Sequence, residues 1–183
     1  GKSIFDYLRT VDDVKNDIDE DKYNKLVSLD NDEKTTYLTL KHIGQTFDFN
    51  NQYNDESNFR SEIDFNVDYT NDQIAFIMMS AYDEELINTI NSFYETNKDI
   101  KVFVINTSDK DNEKIADELK APLASIMNKI PKFLDSGELG NYPSVLFVQD
   151  SIITGIYSNF DTVDNLNSAK ELFLGSDSIA IAK

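Results

Sequence analysis

Three short apolar runs constrain this chain more than any other feature. Residues 73–80 read QIAFIMMS, residues 101–106 read KVFVIN and residues 144–148 read SVLFV. None of them alternates apolar with polar residues. Each is therefore expected to be a strand covered on both faces, inside a sheet with layers around it. Between the first two runs, Asp83–Asn97 carries Leu86, Ile87, Ile90, Phe93 and Tyr94 at helical spacing. Asp83, Glu84 and Glu85 at its start suit the positive end of a helix dipole. Strand, helix, strand in that order asks for two parallel strands joined by a crossover.

The remaining elements extend this unit. Asp109–Lys120 is expected to be a helix with Ile115, Ala116 and Leu119 inward, and Leu123–Leu134 a further short helix broken at Pro131. SVLFV and Ile152–Tyr157 (IITGIY), joined through Gln149, Asp150 and Ser151, read as a hairpin. Asp161 or Thr162 then caps a last helix that turns Val163, Leu166, Ala169, Leu172 and Phe173 inward. The expected class is α/β, a mixed sheet with helices on both faces and the three apolar runs adjacent.

The first part of the chain reads differently. Over Ser3–Leu29, Ile4, Leu8, Val11, Val14 and Ile18 recur at three- and four-residue steps, and a shorter helix is expected over Thr36–Lys41. The chain divides at residue 42, into an N-terminal helical extension (1–41) and an α/β domain (42–183). The stripe from Ile4 to Ile18 has two readings. It packs on the domain as an added helix, or it presents an amphipathic face to a partner chain.

The order of elements, with Tyr142-Pro143 directly before SVLFV, resembles the thioredoxin-like fold. In that superfamily a strand leads into a Cys-x-x-Cys at a helix N-terminus, and a cis-proline precedes the first strand of the closing hairpin. NYPSVLFVQDSIITGIY is similar to the superfamily's proline–strand–hairpin stretch. The resemblance implies a first strand at His42–Phe49 and a first helix at Asp55–Phe65. It also implies a cis bond between Tyr142 and Pro143. The Cys-x-x-Cys window falls on Asp83, Glu84, Glu85 and Leu86, with Ala81–Glu84 as the alternative frame, and the aromatic before it on Tyr82. The buried acid of the superfamily falls on apolar Ile77. An insertion at 121–141 lies beside the place where the superfamily grips its partners, which here is Tyr142, Pro143 and Ser144.

The chain contains no cysteine in its 183 residues. Dithiol exchange requires a thiolate of lowered pKa at that helix N-terminus. Disulfides and Cys-ligated metal are excluded on the same ground. Carboxylates at Asp83–Glu85 use the same dipole but exchange nothing. The expectation is therefore a chain that is not an enzyme and needs no cofactor. His42, the one histidine, has no nucleophile or orienting acid in view, and a structural role is expected. Asp109, Asp111 and Glu113 alternate as in a calcium loop but lack its turn glycine and distal glutamate, so solvated, helix-capping acids are expected and no metal.

The formal net charge of −17 repels phosphate backbones and anionic headgroups. Nucleic acid and direct insertion into a membrane are not expected; one or more protein partners are, including within a membrane-associated complex. The leading expectation is a non-catalytic thioredoxin-like interaction module that binds through Tyr82–Glu85, the 121–141 insertion and Pro143. Its expected setting is the extracytoplasmic cell envelope of a Gram-positive bacterium, in a secretion, conjugation or bacteriocin-export system, with an anchor outside this sequence. The alternatives are a chaperone or holdase of the same fold, which needs an exposed apolar patch, and an enzyme of unrelated chemistry in an acidic cleft.

Overall fold

A computed structural model describes residues 19–29, 37–39, 46–47, 58–61, 70–108, 110–126, 143–158 and 160–175. Helix α1 is Glu20–Leu29 and strand β1 is Tyr37–Thr39; β2 is Asn58–Ser61 and β3 is Gln73–Met79. Helix α2 (Glu84–Thr96), β4 (Lys101–Asn106), α3 (Asn112–Glu118) and β5 (Leu123–Ile126) follow. The hairpin β6 (Ser144–Gln149) and β7 (Ile152–Ser158) leads to α4 (Val163–Phe173).

Among the described residues the strands form one seven-stranded sheet in the order β1-β7-β6-β3-β4-β5-β2. β3 pairs parallel with β4 and antiparallel with β6, so the three apolar runs are neighbours as expected. β3 and β6 are buried along nearly their whole length, and β4 is buried at Val102 and from Val104 to Asn106. Burying one such Phe or Ile side chain stabilises the fold by about 1.5–3 kcal/mol. The β6–β7 turn holds Asp150 at φ 53 and Ser151 at φ 62. Two successive positive φ values match the twist of the flanking strands, as in a type I′ hairpin.

The sheet has two apolar faces. On one, Ala75, Ile77, Val104, Phe147 and Tyr157 meet Leu26 and Leu29 of α1, Ile90 and Phe93 of α2, Ile115 of α3 and Leu166 and Phe173 of α4. All four described helices thus bury residues on this face, where the sequence divides helices between two faces. On the other, Ile74, Phe76, Met78, Leu146 and Ile156 are equally buried and pack with Phe47. Gly155 lies where the first face meets α4. A Cβ there would sit 2.5 Å from ring atoms of Phe173.

Four expected elements differ. Residues 37–39 are a strand paired with Thr39↔Ile156 through Tyr37↔Ser158, not a helix over Thr36–Lys41. This run of Tyr, Leu and Thr favours extended backbone once a partner edge is present. The pairing also joins residues before position 42 to the sheet formed after it. Residues 58–61 form a strand antiparallel to β5, with a register shift between Asn58 and Arg60, where the resemblance implies helix. Residues 123–126 are a strand parallel to β4 rather than the start of a helix. Pro122 disfavours helical backbone at Ala121, and its carbonyl accepts the Val104 N–H at 2.9 Å, which starts the ladder. The helix expected over Asp109–Lys120 is confined to Asn112–Glu118. Thr46 makes an isolated antiparallel bridge to Ile152 within the expected first strand. The stripe Ile4–Ile18, His42, Tyr142 and residues 127–141 lie outside the described residues.

Candidate functional site

The expected site begins where β3 ends. Asp83 is the N-cap of α2, with extended backbone, and its carboxylate accepts the Leu86 N–H at 3.0 Å. Glu84 and Glu85 are exposed in the first turn, and Leu86 packs against the core. These four residues occupy the thiol window of the resemblance. The Asp83 carboxylate satisfies one helix N–H, and Glu84 and Glu85 sit at the positive end of the dipole, which is the stabilising role of acids at that position.

Tyr82 is held by three residues from beyond β4. Its hydroxyl donates to Glu118 Oε1 at 2.9 Å, its N–H donates to Asp111 Oδ2 at 3.5 Å, and Lys114 Nζ lies 4.1 Å from its ring centroid. The phenol is pushed up to about 12, first by the hydrogen bond to Glu118, then by desolvation and by the charges of Glu118, Glu84 and Asp83. The Tyr82 side chain is thus spent on contacts within the chain.

The loop after β4 closes over the loop after β3. Thr107 donates its N–H and its hydroxyl to the Met79 carbonyl, at 2.8 and 3.0 Å. The Ser108 hydroxyl donates to the Ser80 carbonyl. Asn106, fully buried, donates to Asn112 Oδ1 at 2.6 Å and to the Lys110 carbonyl at 3.0 Å, and its own oxygen accepts the Ser108 N–H at 3.2 Å. The carboxyl ends of parallel strands are where open α/β sheets usually bind ligands. Here they are stitched together by side chains of this chain. Asn106, Ser108, Asp111, Lys114 and Glu118 were not read as part of this site. Only the i, i+4 spacing of Lys114 and Glu118 could have hinted at it; the pairing with Tyr82 spans 36 residues.

Pro143 is half-buried at the start of β6, and Ser144 pairs with Met78 of β3 and Ser158 of β7. Register therefore puts Pro143 and Ser144 at the same end of the sheet as Tyr82 and Asp83. The hydroxyls of Ser144 and Ser158 are fully buried and find no hydrogen-bond partner among the described residues, which costs about 1–3 kcal/mol per hydroxyl. Both are on the sheet face opposite α2, the side of Met78 and Ile156. Among the described residues, no group of three or more His, Cys, Asp or Glu is placed to hold a metal ion. None of the described helices is long and apolar enough to cross a membrane.

The sheet order decides the fold. β3–α2–β4 is a parallel unit, β6–β7 is an antiparallel hairpin, α4 closes the chain, and the central strands run β7-β6-β3-β4. The fold is thioredoxin-like. No protein-family model matches the sequence, and no curated protein matches it. Solved structures similar to it include StoA from Bacillus subtilis, at 12% identity over 53% of this chain and 81% of that one, with a TM-score of 0.41. A thioredoxin-like protein from Aeropyrum pernix is 10% identical over 58% of this chain and 79% of its own, with a TM-score of 0.43. The exposed lipoprotein thioredoxin Etrx1 from Streptococcus pneumoniae is 16% identical over 57% and 87%, with a TM-score of 0.40. This thioredoxin-like domain differs in chemistry from a dithiol oxidoreductase, because it has no cysteine.

Proposed function

We propose that this chain is a non-catalytic, thioredoxin-like protein-interaction module. The observation that carries the reading is the state of the α2 N-terminus. The position that holds a nucleophile in a redox thioredoxin holds an N-cap carboxylate, and the residues around it bond to one another. A rigid, acid-rimmed surface without a reactive group suits recognition. The proposed contact residues are Tyr82, Asp83, Glu84, Glu85 and Leu86, with half-buried Pro143 at the same end of the sheet; the Ser144 side chain is buried, and Tyr142 lies outside the described residues. The excess of negative charge favours a basic segment on the partner. The setting proposed with it is an accessory role in a Gram-positive envelope assembly, for secretion, conjugation or bacteriocin export, on the extracytoplasmic side.

A holdase finds less support. Among the described residues the exposed large hydrophobics are Val27 and Ile152 alone, which make no patch.

The test is cross-linking pull-down from the membrane fraction of the source cells, with wild type and a Glu84→Lys/Glu85→Lys double variant. A discrete partner captured by wild type and lost with the variant supports the reading. Equal capture by both proteins, or turnover in a disulfide-reduction assay, overturns it.

A further inference from the structure

We draw no further inference here: the strongest candidate, the cleft of about 940 Å³ between α1 and the end of α4, holds each of its lysines, Lys22, Lys25 and Lys170, on a carboxylate of this chain, and nothing in the structure shows what covers it.

Discussion

The two ends of the β3–β4 pair are finished in opposite ways. Where the strands run out into α2 and α3, the Thr107 and Ser108 side chains bind the carbonyls of Met79 and Ser80, and Tyr82 reaches Glu118. That is the end at which a redox thioredoxin works, and here the chain fills it with its own bonds. At the other end, Val102 lines a groove with Tyr94, Phe103 and Pro122, and β5 pairs with β4 only from Val104 onward. Asp99, two residues before β4, is held there by Lys170 of α4 at 2.8 and 3.0 Å. The difference teaches that a thioredoxin-like sheet without thiols closes this end with its own polar bonds.

Helix α2 touches both ends, with Asp83 at its start and Tyr94 near its finish. Phe93, fully buried in it, is therefore the residue whose loss should break the comparison most severely. Phe93→Ala is expected to cost about 3–5 kcal/mol in urea unfolding. Exchange protection should fall at Ser108 and at Val102 together. If one end keeps its protection in that variant, the two ends are not joined through α2.

Gly155 supplies a test that touches neither end. Gly155→Ala would drive a Cβ to within 2.5 Å of the Phe173 ring, at an expected cost of about 1–3 kcal/mol from overpacking. Phe173→Leu in that background should recover part of the loss. Simple additivity of the two substitutions would mean that ring and glycine are not the conflict.

The sequence revealed the centre of this molecule and concealed its margins. β3, β4 and β6 declared themselves because a strand buried on both faces must be apolar at every position. α2 was legible from its 3.6-residue period and its acidic start. β1, β2 and β5 were misread as helices. Each has only three or four residues, too few to display a period, and each is extended because a neighbour far along the chain offers an edge. The candidate site divides along the same line. Asp83 as a cap follows from local chemistry, residues that lie three positions apart. The bond from Tyr82 to Glu118 joins residues 36 apart and the seal over Met79 and Ser80 joins residues 28 apart, and no local pattern encodes them. The groove at Val102 depends on where β5 stops, which is a property of pairing alone.

A smaller effect isolates the sealed end. Asp83→Ala removes the cap on Leu86 N–H and should cost about 1 kcal/mol, while Asp83→Ser, which still accepts that bond, should cost only a fraction of it. Equal losses for the two would show that the carboxylate acts through charge and not through capping. Val102 exchange should not respond to either.

The smallest effects separate the ends by pH. Tyr82 at the sealed end has its pKa raised from 10.0 to about 12, chiefly by the bond to Glu118. A group whose folded pKa is raised stabilises the fold fully below its unfolded value and loses that contribution as pH climbs through the folded one. Wild type should therefore exceed Tyr82→Phe by a constant margin up to pH 10, and the margin should vanish as pH approaches about 12. Asp99 at the opposite end has its pKa lowered from 3.8, chiefly by the hydrogen bond from Lys170. Its contribution is whole above pH 3.8 and is lost as pH falls through the lowered value. Asp99→Asn should accordingly flatten the acid limb of the urea midpoint against pH and leave the alkaline limb alone. Asp99 is exposed and Tyr82 is only half-buried at the surface, so both margins are small, and salt should shrink the Asp99 margin further. Were Tyr82→Phe to alter the acid limb, or Asp99→Asn the alkaline one, the two ends would be electrostatically coupled, and treating them as separate surfaces would fail.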